Sequence, residues 1–422
     1  MVRDRERDGD SSGGLPAAPE LADIVGARAG GRDLIRQTPV LASRSIGERL
    51  GSPVVLKAEN LQETGSFKLR GALAKLASLP SGAPRGLVTG SAGNHAQSLA
   101  YAARIGGMAC RVYMPEDAAI AKVEAAASFG ARIERRPGTV DDCIAAARGA
   151  AERDGLVFVH PFDDPDVIAG QGTLAIELLE QVPDVARVVV PVGGGGLAAG
   201  MAIALRSMRP QVTIVGVQAE LCAPLAAPLD SDRPHEISYT SIADGIAVKR
   251  PGSLTRPILA RLMDDVVSVS ENEIAEAVVL LLEHSKLLVE GAGAVGVAAV
   301  LSGRLRPLPA GPTALVLSGG NIDVGLVGAL TRRHETWARR RLNIFTRVGD
   351  RPGSLARLLT LIGEHGGNVL DVHHVRDGVS LDVRETGIRL VIESRGEEHA
   401  REILSAVEAG GYPAETLPLP EV

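Results

Sequence analysis

Aromatic residues make up only 2% of this 422-residue chain, and cysteine occurs three times. So few rings argue against a surface on which nucleobases stack. Cys110, Cys143 and Cys222 lie far apart and include no C-x-x-C pair. They form neither a disulfide framework nor a zinc site, a usage that suits a reducing cytoplasm. Basic excess is missing as well. The formal net charge of -6 leaves no positive face to neutralise phosphates, so no nucleic-acid partner is expected. Nor is any apolar run long enough to cross a membrane: the richest stretch, 278–289, is broken by Glu283, His284 and Lys286. The opening MVRDRERDGDSSGG is charged and lacks the apolar centre of a signal peptide. These absences point to a soluble cytoplasmic protein that handles small molecules.

Glycine, by contrast, is abundant: 49 residues, many of them clustered. Residues 1–20 read as disordered. From 21 to 331, strand and helix patterns alternate, as in an α/β fold whose parallel sheet is covered on both faces. Strands are expected at 54–58, 86–89, 109–114, 131–135, 157–160, 188–191, 212–218 and 314–317. A small lobe of about residues 80–165 is expected as an insertion in a larger one, with a cofactor cleft between them. The character changes after Thr331. Residues 332–341, RRHETWARRR, read as a charged linker or helix end, and 342–422 as strand, helix, strand, strand, helix, strand, a ferredoxin-like βαββαβ unit. His373 and His374 are neighbours on a strand, so they face opposite sides and do not clamp a metal together.

Four segments carry candidate chemistry. In ENLQETGSFKLRGA (59–72), Ser66 is expected to cap a helix whose first turn holds Lys68. The positive end of the helix dipole lowers a lysine pKa there, favouring the free amine that forms a Schiff base; the plainer alternative is a solvent-facing lysine. Ser91, Ala92, Gly93, Asn94 and His95 follow a strand and open a helix, an arrangement that binds a carboxylate or simply turns the chain. PVGGGGLAAG (191–200) is stronger, because four consecutive glycines cost backbone entropy that a mere turn does not require. They suit a phosphate at a helix N-terminus. The run is not G-x-x-x-x-G-K-[ST], and the dinucleotide pattern fails at Ala198. Ser318, in LSGGN, either meets a cofactor heteroatom or caps its own turn. Glu290, in VEGAGA, reads as a carboxylate at a helix N-terminus and nothing more.

A Schiff-base lysine, a phosphate cradle and an anion-binding turn together specify pyridoxal phosphate chemistry. With ADGIAVKRPG (243–252) and LSGGNID, these segments resemble the fold-type II pyridoxal phosphate enzymes, related to tryptophan synthase β, and closely the threonine ammonia-lyases, in order over about residues 30–330. The resemblance implies that Lys68 binds the cofactor and then takes the substrate Cα proton. Phe67 would pack near the cofactor, Asn94 would bond its phenolic oxygen, and Ser318 would face its pyridine nitrogen. Gly193, Gly194, Gly195, Gly196 and Leu197 would hold the phosphate. Ser91, Ala92, Gly93, Asn94 and His95 would hold the substrate carboxylate. No protein carboxyl is evidently placed to protonate the leaving hydroxyl, so the cofactor phosphate is the expected donor. Serine racemases of the same fold carry a second serine where Ala92 stands, so elimination is expected to dominate. They also place a metal-binding acid where Gln218 lies; Glu220 is out of register, and no metal is expected.

Residues 342–422 resemble an ACT domain, through Asp350 and Gly353 in RVGDRPGSL and through Asn368 in GGN. The resemblance implies an effector such as isoleucine or valine and pairing of subunits into a homodimer or homotetramer. The implied reaction takes L-threonine, and L-serine beside it, to the 2-oxoacid and ammonia. A serine or 3-hydroxyaspartate lyase is the nearest alternative. A non-catalytic amino-acid sensor is a third, opposed by the retention of Lys68 and the whole glycine cradle.

Overall fold

The segments RVVVP (Arg187–Pro191) and TALVL (Thr313–Leu317) are buried at every position, as strands covered on both faces must be. They form the centre of a six-stranded sheet in the order Val40–Ala42, Val54–Ala58, Thr313–Leu317, Arg187–Pro191, Thr213–Ala219, Asp265–Val269. All neighbours run parallel except the first pair. A second sheet, entirely parallel, orders Ala131–Arg136, Ala109–Pro115, Gly86–Gly90 and Val157–Phe158. The computed structural model describes residues 17–31, 33–80, 86–225, 241–376 and 381–417. The expectation of disorder thus lies outside the described residues for 1–16, and the first helix is Leu21–Gly31.

Each expected strand is present, the shortest being Val157–Phe158. Two others escaped the sequence pattern. Val40–Ala42 is too short to show a period, and Asp265–Val269 is mostly half-exposed at a sheet edge.

The helix Lys68–Ala77 buries Leu69, Ala72 and Leu73 among Leu87, Leu99 and Val112, so chain before residue 80 also builds the core of the smaller sheet. Its start differs from expectation. Phe67, not Ser66, precedes the first helical residue, and no side chain caps this end. Ser66 is instead drawn into a β-bridge with Gly319, and its buried hydroxyl has no partner among the described residues. The long helix Pro165–Gln181 serves both cores: Val167 packs with the small sheet, while Ile168, Leu174 and Leu178 pack with the large one.

Beneath the lysine helix lies a buried ionic cluster. Arg70 donates to both oxygens of Glu59 at 2.8 Å and lies 2.9 Å from Glu177. Lys57, fully buried, donates to Glu177 at 2.5 Å and to the Thr38 carbonyl at 2.7 Å. Burial lowers the Lys57 pKa against the pull of Glu177, whereas for Glu59 burial is opposed by the charge and hydrogen bonds of Arg70, the Lys57 charge and the Thr38 hydroxyl, which together bring its pKa down. Glu59 and Arg70 thereby tie together the two ends of the segment that carries Lys68.

The chain divides into two compact units, 1–322 and 323–422. Residues 332–341 are not an extended linker. Helix Val324–Trp337 runs through most of them, and the next strand starts at Arg341. Within the second unit, Arg341–Gly349 pairs with Glu385–Glu393 and Ala414–Thr416, and Asn368–Val375 completes an antiparallel sheet. Helices Ser354–Glu364 and Glu397–Ala409 cover it over Ile344, Leu358, Ile362, Leu390 and Ile403. This is the expected βαββαβ order.

Candidate active site

The cleft of the first unit encloses a cavity of about 440 Å³, and the candidate residues of that unit all line it: Phe67, Lys68, the five residues from Ser91 to His95, the four glycines with Leu197, and Ser318. Three turns at strand ends deliver them. Ser91 follows strand Gly86–Gly90, the glycines follow Arg187–Pro191, and Ser318 follows Thr313–Leu317. The C-terminal edges of parallel strands are where such sheets gather their ligand sites.

Lys68 is half-buried at the cavity, and its amine donates to the Pro161 carbonyl at 2.8 Å. Burial lowers its pKa to about 8, with the Glu290 charge holding it up. Desolvation, more than the helix dipole, makes this amine easy to deprotonate.

At the glycine turn, Gly195 has φ +93°, and a Cβ there would lie 2.8 Å from the Thr255 hydroxyl. That hydroxyl donates to the Gly194 carbonyl at 2.7 Å, so the turn is fixed from outside while its amides face the cavity. Among the described residues, no protein acceptor receives the N–H groups of Gly193, Gly194, Gly195 or Gly196. With the helix Gly196–Met208 beginning there, they form a ready anion site. The amides of Ala92, Asn94 and His95 are likewise without protein acceptors at the start of helix Asn94–Ile105.

His95 is neutral: burial, and then the Lys68 charge, lower its pKa to about 3. Its ring therefore brings no positive charge to the cavity. Asn94 is oriented by both neighbours. Asn321 donates to its Oδ1 at 2.7 Å, and its own Nδ2 donates to Glu290 at 2.8 Å.

Glu290 is the residue that sequence reasoning missed. It lines the same cavity, makes no cap for its helix, and is raised to about 7, first by burial and then by the Asp244 charge. Gly319 makes room for it, since a Cβ there would fall on the Glu290 carboxyl. The available signal was a lone carboxylate at the head of GAGAVGVAAVL, an otherwise apolar helix with ten buried residues.

The second unit holds the remaining candidates, each with its own partner. Asp350 accepts from Arg376 at 3.1 Å, Asn368 donates to Glu393 at 2.9 Å, and Gly353, at φ +83°, precedes helix Ser354–Glu364. Among the described residues no group of His, Cys, Asp or Glu is disposed to hold a metal. Gln218 is bound to the loop at Leu225, and Glu220 to Arg304. No helix among the described residues is long and apolar enough to cross a membrane.

An amine with a near-neutral pKa beside a row of unpaired amides at a helix N-terminus is the set that an aldehyde bearing a phosphate requires. Comparison with known proteins covers the part of the chain that holds this cavity. Residues 32–319 match the family described as pyridoxal-phosphate dependent enzyme, and residues 343–409 match the ACT domain. The chain belongs to the pyridoxal-phosphate-dependent enzyme family. Its cofactor is pyridoxal phosphate, and the residues present fit it. An L-threonine ammonia-lyase of Geobacter sulfurreducens is 45% identical over 92% of this chain and 96% of its own. A solved threonine deaminase from T.th. is 41% identical with a TM-score of 0.67, covering 72% of this chain and 99% of its own. Maize serine racemase superposes with a TM-score of 0.71 at 31% identity, covering 76% and 100%.

Proposed function

We propose that this chain is a threonine ammonia-lyase, which eliminates water from L-threonine, and from L-serine beside it, to give an enamine that takes up water again to leave 2-oxobutanoate or pyruvate with ammonia. The observation that carries the reading is the pairing of Lys68 with Ala92 in one pocket. A base is present to take the Cα proton, but a methyl group stands where a racemase needs a second proton carrier. Likeness to relatives of both kinds makes that difference the deciding one.

Bound in the pocket, pyridoxal phosphate supplies the electron sink that makes the substrate Cα–H acidic. The remaining work belongs to the chain. Gly193, Gly194, Gly195 and Gly196, with Leu197, would hold the phosphate through backbone amides. Phe67 would pack beside the cofactor, Asn94 would bond its phenolic oxygen, and Ser318 would meet its ring nitrogen. The turn from Ser91 to His95 fixes the substrate carboxylate, aligning Cα with the Lys68 amine. With a pKa of about 8, that amine is free in a useful fraction near neutral pH and accepts the proton. The departing hydroxyl needs a proton in turn. Glu290, held near 7, is a protein carboxyl of this pocket able to keep one, which revises the expectation that none is placed there.

The second unit is assigned the regulation. Asp350, Gly353 and Asn368 are proposed to bind an amino-acid effector such as isoleucine or valine between paired subunits, in a homodimer or homotetramer working in the cytoplasm. Feedback by isoleucine would place the enzyme at the head of isoleucine synthesis. The test is 2-oxoacid release from threonine, serine and 3-hydroxyaspartate, with and without isoleucine. Preference for threonine, damped by isoleucine, supports the reading. Turnover of 3-hydroxyaspartate alone would replace it.

A further inference from the structure

The cavity wall carries one ion pair between the two lobes. Lys122 stands on helix Ile120–Ser128, which packs on the smaller sheet, and it reaches Asp244 on the short turn Asp244–Ile246 of the larger lobe. Both residues line the amino-acid cavity. Their side chains are 26% and 49% exposed, which puts them at its rim rather than its floor. The turn holding Asp244 rests on helix Gly291–Leu301, and a Cβ on Gly245 would stand 3.0 Å from Ala292, so the carboxylate sits on rigid backbone. No arginine lines the cavity among the described residues. Its other cations are Lys68, committed to the floor, and Lys249.

We infer that the Lys122–Asp244 pair selects the substrate's side chain: with Lys122 occupied by Asp244, the pocket receives uncharged β-hydroxy amino acids and turns away dicarboxylic ones. The inference rests on the reading of the site as a β-hydroxy amino acid lyase and narrows it. A second carboxylate on the substrate needs a cation for its lost hydration. Lys122 is already paired, and Asp244, Asp141 and Asp117 add negative charge along the same wall. A hydroxyl or methyl needs no such partner. The pair also bridges the lobes, so it holds the wall in place over a small side chain.

The experiment measures equilibrium binding of 3-hydroxyaspartate and of malonate by calorimetry, and their inhibition of threonine turnover, using the holoenzyme, Asp244→Asn, Lys122→Gln and the double variant. Releasing Lys122 in Asp244→Asn is expected to tighten both dicarboxylates by up to about fivefold, the upper end of what a partly exposed ion pair supplies. Lys122→Gln and the double variant are expected to show no such gain. Unchanged dicarboxylate binding in Asp244→Asn, or an equal gain in the double variant, overturns the inference. Both substitutions lie at the rim and Asp244→Asn is isosteric, and the charge-exchanged pair Lys122→Asp with Asp244→Lys gives a second check: it should bind dicarboxylates as weakly as the parent, and a gain there also overturns the inference. If the parent enzyme releases no 2-oxobutanoate, the lyase reading fails by itself, while the calorimetric comparison still decides the role of the pair.

Discussion

Glu290 and Lys68 depart from their ordinary proton affinities in opposite directions, for the same reason. Each loses water inside the cleft, which raises the carboxyl to about 7 and lowers the amine to about 8. For Glu290 the folded state holds a proton that the unfolded chain releases between about pH 4.5 and 7. Stability of the cofactor-free protein is therefore lost as pH rises across that window, by about 3 kcal/mol in all. Glu290→Gln removes the penalty. Its denaturation midpoint should exceed that of the parent at pH 8 and match it near pH 4.5; an equal difference at both values would show that burial of the charge is not the cause. The sequence named Lys68 because its segment has a recognisable order of residue types. It could not name Glu290, whose meaning depends on Asn94, Gly319 and Asp244, residues brought to it from three other parts of the chain.

At the scale of elements, the segment from Glu59 to Ala72 is held at both ends. Arg70 bonds Glu59 within the segment and Glu177 on helix Pro165–Gln181, the helix that joins both cores. Removing one partner from a buried pair leaves an uncompensated charge, at a cost of about 3–5 kcal/mol. Arg70→Ala should lose that much stability in urea denaturation, and a loss below about 1 kcal/mol would mean that water already reaches the cluster. Patterning made the larger elements legible: most strands of the two α/β sheets and the βαββαβ order of the second unit follow from it. What it could not reveal was lobe membership. Leu69 and Leu73 announce an apolar helical face, but which sheet receives that face is settled only by the fold. The charged stretch at 332–341 left linker and helix end undecided for a related reason, since a helix with few buried residues has the composition of a linker.

For the whole molecule, the division at residue 322 separates a unit that contains the entire cavity from one that contains none of its lining. The solved T.th. threonine deaminase is covered along 99% of its chain by 72% of this one, so the likeness extends over a stretch of roughly the first unit's size. A protein ending at residue 322 is expected to retain threonine turnover and lose any response to isoleucine. Retention of the response in the shortened protein would move the effector site into the first unit.

The central claim is that Lys68 performs amine chemistry on L-threonine, and the direct measurement is 2-oxobutanoate release by the purified holoenzyme beside Lys68→Ala loaded with the same cofactor. The account expects steady release from the parent and a loss of at least about a thousandfold in the variant, the scale on which removing a covalent and basic group acts. Equal release from the two proteins, or none from the parent with cofactor bound at Lys68, would contradict it.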